Sequence, residues 1–304
     1  MFVSQLFKYS FLVLIGACSY GVISTIIKLA YAQGFTVNEV IGSQYLAGFF
    51  MFLFCVILFS RKKASLKQAL ILIFTGITTS LTGIFYGMSL QTIPASIAII
   101  LLFQFTWIGI VIESIAEKKM PSPDKVLAAG ILLIGTFMAG NIFGNDAWSL
   151  NDPGIIWGLL SAVSFSLFIF ASGRVATELP SLNRSLFMSL GAAGFLLVIF
   201  SPEFLVNDSM QSGLWIYALL LGFFGVFIPV VLFSIGTPKI GSGIATILGA
   251  AELPTAILCS IIILKEQVTA VQIAGIAMIL LGIVTPQLYY FLKWNIMKKK
   301  SISP

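Results

Sequence analysis

Long apolar runs, cut by charges and turn residues, divide the 304-residue chain into ten segments. They lie at about 9–30, 39–60, 68–90, 95–116, 125–142, 154–173, 182–201, 212–235, 242–264 and 268–291. Each reaches or approaches the roughly 20 residues a helix needs to cross about 30 Å of hydrocarbon. The pattern predicts an all-α membrane protein with ten transmembrane helices. Its least marked boundary is at Gln91–Pro94. Residues 68–112 carry no charge, a run too long for one helix, and Pro94 supplies the break.

Composition agrees with the pattern. Only 9% of residues are charged, 59% are hydrophobic, and mean hydropathy is +1.05. A soluble domain carries about 25% charged residues, so no water-facing surface can be built from this chain. The absence of His removes imidazole metal ligands and His-dependent triads. No Walker loop, GxGxxG unit or metal constellation is present, so neither cofactor nor metal is expected. Cys18, Cys55 and Cys259 fall inside apolar runs and read as small buried hydrophobes. "LVLIGACS" resembles a lipoprotein processing site, yet its apolar run continues past Cys18 to Ile27, and the expectation is an uncleaved span.

The basic residues orient the spans. With an internal N-terminus, the inside segments hold Lys8; Arg61, Lys62, Lys63 and Lys67; Lys118, Lys119 and Lys125; Arg174 and Arg184; Lys239; and Lys293 and Lys298–Lys300. Only Lys28 and Lys265 fall outside. The loops "NIFGNDAWSLNDP" and "SPEFLVNDSM" are acidic and hold no Lys or Arg. Positive-inside asymmetry therefore predicts a multi-pass cell-membrane protein with both termini cytoplasmic. The net charge of +6 resides in these loops, and nucleic acid is not an expected partner.

The chain also repeats itself. "AGFFMFLF" from Ala47 matches "AGFLLVIF" from Ala193, "GACS" from Gly16 matches "GLLS" from Gly158, and "AGI" occurs at Ala129 and Ala274. The offsets are nearly constant and close to half the chain. Five spans per half is an odd number, so the second copy enters from the opposite side. The expectation is two inverted five-helix repeats, residues 1–145 and 146–304. That architecture places a binding site near the midplane between the halves.

At this point the chain resembles the EamA-type branch of the drug/metabolite transporter superfamily. The five-plus-five duplication carries the likeness, as do the ends of the halves, "IESIAEKKMPSPDKVLAAGILLIGTF" and "SIIILKEQVTAVQIAGIAMILLGIV", where Glu117 and Glu266 close a fourth helix. "AELPTA" resembles the Pro-containing ninth helix of that family. The chain departs from it at Phe105, where proline is expected, at "EKKMPSPDK", about four residues longer than its counterpart, and at Gln44, where Arg is common. The resemblance implies a secondary carrier of small organic solutes (amino acids, other metabolites or drug-like amines) moved outward, with protons as a candidate coupling ion. A polytopic enzyme acting on lipid, and a channel, are the alternatives. The first predicts acids or bases clustered at one interface, the second a ring of similar polar residues.

Candidate chemistry centres on Glu252, the thirteenth of the 25 residues between Lys239 and Lys265. An ionisable group at mid-membrane costs about 2.5–3.5 kcal/mol on insertion scales and marks a functional site by default. Pro254 removes the helical bond to the Ala250 carbonyl, so a helix break with free backbone acceptors is expected beside it. The alternative is a neutral Glu that only packs helices. Gln104 and Trp107, one turn apart on the fourth span, could line a cavity for organic substrates or serve packing. Tyr20, Ser19, Tyr86 and Ser161 are further candidate substrate contacts within spans 1, 3 and 6, or interhelical hydrogen-bonders. Glu113 is expected to anchor the end of its span through Lys118 or interfacial water, and Lys28 to snorkel.

Overall fold

The structure, a computed structural model, describes residues 2–60, 62–93, 95–140, 152–200, 202–265 and 267–300. Pro94, Glu266 and most of the acidic loop before Pro153 lie outside the described residues. Among the described residues all regular structure is helical. The first half contains α1 (Phe2–Ala32), α2 (Val37–Phe59), α3 (Leu66–Thr92), α4 (Ala95–Phe103), α5 (Phe105–Glu117) and α6 (Pro123–Ala139). The second contains α7 (Pro153–Arg174), α8 (Ser181–Ile199), α9 (Trp215–Gly222), α10 (Ile228–Ile240), α11 (Ser242–Gly249), α12 (Glu252–Cys259) and α13 (Ala270–Lys300). Pairs α4/α5, α9/α10 and α11/α12 each continue one another as a single interrupted span.

Among the described residues, nine of these spans are long and apolar enough to cross a membrane. The fifth expected helix, α6, has 17 described residues. Helix starts follow local chemistry: Thr36 and Glu39 form a reciprocal capping box before α2, and Ser65 and Gln68 do so before α3. The Asp152 side chain accepts from Gly154 N–H at 2.8 Å to open α7.

Each half packs mainly on the other. Helix α1 lies on α10 and α12, α2 on α8 and α9, α3 on α7 and α8, α5 on α7 and α11, and α6 on α13. The main core accordingly draws Val13, Phe52, Leu72, Phe105 and Leu132 from the first half and Phe168, Met188, Phe233, Leu248 and Ile279 from the second. Large apolar side chains such as Phe54, Ile57, Phe59 and Phe74 point outward, the arrangement a lipid-facing surface needs. Without a hydrophobic force between helices in lipid, close approach at small residues supplies the packing. At the α3–α8 crossing, a Cβ on Gly76 would lie 1.8 Å from the Met188 carbonyl oxygen, so only glycine fits.

Candidate functional site

Midway through the bundle, side chains from both halves close around a small cavity. Tyr20 of α1, Tyr45 of α2 and Thr79 of α3 face Phe168 of α7, Met188 and Ser189 of α8, and Gly225 and Val226 between α9 and α10. The space open to the centre of a water-sized sphere is ≈ 10 Å³, room for about one water molecule. Nothing larger enters unless helices part. The Tyr45 hydroxyl donates to the Thr79 carbonyl at 3.3 Å. The Tyr20 ring meets Phe165 edge-on at 5.8 Å and tilts against Phe233 at 6.3 Å.

Residues Phe223–Phe227, which include Gly225 and Val226, form a π-turn rather than an α-turn. Such bulges leave the regular hydrogen-bond ladder and recur at functional sites. Ser19 serves this one: its hydroxyl donates to the Phe224 carbonyl at 2.5 Å.

The opposite wall of α1 meets the break between α11 and α12. There the N–H groups of Ala250 and Ala251 reach back three residues, to Ile247 and Leu248, at 3.2 and 3.1 Å. Glu252 is the first residue of α12 and Pro254 the third, where a missing N–H costs little because first-turn donors lack helical acceptors. The expected free acceptor at Ala250 is occupied: Leu253 N–H donates to it at 3.3 Å. Helix α1 lies so close that a Cβ on Gly21 would sit 2.4 Å from the Glu252 carbonyl oxygen. Tyr20 adjoins Gly21 at this α1–α12 contact, and Glu252 lies within electrostatic range of Tyr20 and Tyr86. Glu252 is half-buried. Among the described residues, no hydrogen bond and no ion pair reaches its carboxylate.

Gln104 and Trp107 meet each other at the other break, between α4 and α5. Gln104 N–H turns back to Leu101 at 3.2 Å, leaving the Ile100 carbonyl without its helical donor. The side-chain amide of Gln104 supplies one at 2.9 Å, and its oxygen accepts from the Trp107 indole at 2.8 Å. No proline is needed here. Trp107 is exposed, on the face of α5 opposite Phe105 and Gly109, which pack on α11. Ser161 is fully buried and donates to the Gly158 carbonyl of its own helix at 2.6 Å. The structure thus puts Tyr20 on the cavity wall, Tyr86 against the main core, Glu252 at the α1–α12 contact and Ser19 on the π-turn. Gln104 with Trp107, and Ser161, have local partners.

Two features were not singled out from sequence, and a third was expected with another partner. Tyr45 is one, since nothing in "SQYLAG" distinguishes a cavity tyrosine from a packing one. A second is Arg184, which belongs by charge to an inside loop but is 2% exposed within α8. The third is Glu113, which does not use Lys118. It pairs with Lys125 and accepts from Gly243 N–H at 2.9 Å and from Ser242 at 3.2 Å. A carboxylate there caps the N-terminus of α11, where the helix dipole favours it.

This geometry has relatives. The sequence profile of the EamA-like transporter family matches the chain twice, over residues 7–140 and 152–285. The Gln104 and Ala250–Ala251 breaks fall at nearly the same depth within the two matches. An uncharacterized transporter of Archaeoglobus fulgidus is 28% identical over 203 residues, 67% of this chain and 71% of its own. A crystal structure 17% identical aligns over 92% of this chain and 97% of its own with a TM-score of 0.74, a likeness of fold. The two family matches take in most of the sequence, and the chain belongs to the EamA-like transporter family, multi-pass membrane transporters of small solutes.

Proposed function

We propose that this transporter is a secondary carrier that moves small organic solutes of the amino-acid, metabolite or drug-like amine kind out of the cell, exchanging protons at Glu252. Its two halves, residues 1–145 and 146–304, act as inverted repeats in the cell membrane, with both termini cytoplasmic. The observation that carries this reading is Glu252 at the contact of α1 with α12, its carboxylate without a hydrogen bond or ion pair among the described residues. An ionised carboxylate at that depth must be offset by water, by a cation or by protonation. A carrier supplies these in turn as its cavity opens, fills and closes. The paired breaks at Gln104 and Ala250–Ala251 support the inverted repeat, since each half interrupts its fourth span at the equivalent place.

Vesicle flux tests this. Saturable, counterflow-competent efflux that speeds up with an opposing proton gradient is expected, and a non-saturable flux would indicate a channel instead. Glu252→Gln keeps shape and hydrogen-bonding capacity but cannot titrate. It should insert normally, retain exchange and lose pH-dependent net flux. Unchanged pH-dependent flux in that variant refutes the proton site.

A further inference from the structure

The last turn of a helix leaves carbonyls without helical donors, and a proline orphans the carbonyl four residues before it. Both kinds of acceptor converge on Arg184. Its Nε donates to the Val175 carbonyl at 3.1 Å and its Nη2 to that of Ser172, both at the end of α7. Its Nη1 donates at 2.7 Å to the Ser234 carbonyl of α10, the one that Pro238 leaves without an N–H. No carboxylate forms an ion pair with this guanidinium among the described residues. One turn further along α8, Met188 and Ser189 line the central cavity. Arg184 therefore stands between the cavity and the end of the bundle that carries Lys62, Lys63, Lys118, Lys119 and Arg174.

That end is shut tightly. A Cβ on Gly173 would lie 2.8 Å from Thr237 Cγ2, and one on Gly236 would lie 2.4 Å from Val13 Cγ2, so α7, α10 and α1 touch. Asn183, the residue before Arg184, accepts from Ser60 and donates to the Lys62 carbonyl at 2.8 Å, tying in the end of α2. The closure is not fully satisfied. The hydroxyls of Ser185, Ser234 and Thr237 are buried there without partners, a cost that hydration would relieve. A contact held by one reversible set of charge-assisted bonds, over groups that favour water, has the properties of a gate.

We propose that Arg184 is the latch of the cavity at the basic end: its guanidinium holds α7, α8 and α10 together, and release of its carbonyl bonds opens the cavity to that side during transport. The proposal rests on the carrier reading. Arg184 acts through the helices it joins and is a positioning residue.

The test uses the full chain with Cys18, Cys55 and Cys259 replaced by Ala and a reporter, Ser189→Cys, in vesicles of both orientations. A membrane-impermeant methanethiosulfonate is applied at each face. Arg184→Met removes the donors at similar length. Pro238→Ala leaves Arg184 in place but gives the Ser234 carbonyl a competing helical N–H. Labelling from the basic face should rise about tenfold or more in Arg184→Met, as loss of charge-assisted bonds implies, and by less in Pro238→Ala, with the other face unchanged. Labelling that stays at the parent rate in both variants, or rises equally from both faces, overturns the latch. If Arg184→Met does not fold, Pro238→Ala decides alone. Efflux of radiolabelled amino acids and a cationic dye is measured in vesicles of the parent chain, without the reporter. Its absence there counts against the carrier reading and leaves the latch to be judged by labelling.

Discussion

Phe105 lies on Gly249. Its ring edge is 3.0 Å from the point a Cβ at 249 would occupy. Phe105 is the first residue after the break at Gln104, and Gly249 the last helical residue before the break at Ala250–Ala251. The two interrupted spans therefore touch break to break, and one turn along, Thr246 fills the space left at Gly109. The Phe105 ring is itself held edge-on by Phe165 at 4.8 Å, and Phe165 in turn meets Tyr20. Position 249 is thus coupled by packing to the cavity wall. Gly249→Ala should lower thermal stability slightly, because the ring has to shift by a few tenths of an ångström. Gly249→Leu should cost about 1–3 kcal/mol and slow transport, read from melting temperature and vesicle flux.

The α3–α8 crossing gives a sharper contrast. At Gly76 the obstacle is backbone, the Met188 carbonyl, and backbone cannot rotate aside. Gly83, two turns along the same helix, has nothing within 4 Å of its Cβ position. Gly76→Ala should separate the helices and cost about 1–3 kcal/mol or more. Gly83→Ala should be neutral or stabilising by up to about 1 kcal/mol through helix propensity. Melting temperatures of both variants in one detergent decide it. Equal values would mean the crossing is looser than described.

At Gln104 the break is held by a side chain, so its chemistry is testable. Gln104→Leu leaves the Ile100 carbonyl and the Trp107 indole N–H without their partners, which costs about 1–3 kcal/mol where those groups stay dry. Stability should fall while the KM for solute holds. A KM shift without loss of stability would make Gln104 a substrate contact instead.

Topology is checked from outside the site. Cysteine placed at Ser65, in a version without native Cys, should be labelled only from the cytoplasmic face, and cysteine at Asn207 only from the other. The charge pattern behind this is the distribution of Lys and Arg over alternate loops. Selective external labelling at position 65 would invert or dismantle the proposed arrangement.

The helical spans were legible because run length in lipid is a one-dimensional property, and the sequence shows it directly. Glu252 was legible for a related reason: a lone carboxylate midway between Lys239 and Lys265 has an evident cost at that depth. Meetings between halves were not legible. Tyr45 joins the cavity because α2 packs on α8 and α9, which no periodicity announces. The α4/α5 break has no proline, and its cause is a side-chain amide folding back on its own helix. Arg184 reads as a loop charge until Pro238, far along the chain, is seen to leave a carbonyl for it.

Tyr20 and Glu252 provide the closing test, because Tyr20 adjoins Gly21, which packs on the Glu252 backbone. If the hydroxyl and the carboxylate serve one site, their effects on transport are not independent. Tyr20→Phe removes a hydroxyl within electrostatic range of the carboxylate and should alter the pH at which flux is half-maximal while leaving insertion intact. In the Glu252→Gln background there is no titrating partner, so the same substitution should change flux little. The cycle formed by parent, two single variants and the double variant should show a coupling of about 0.5–3 kcal/mol, the range for coupled residues. Initial efflux rates across a series of external pH values give the four corners. Fully additive effects would mean that Tyr20 only packs against Phe165 and Phe233. Glu252 would then act alone, and the tyrosine would belong to the aromatic wall rather than to the proton site.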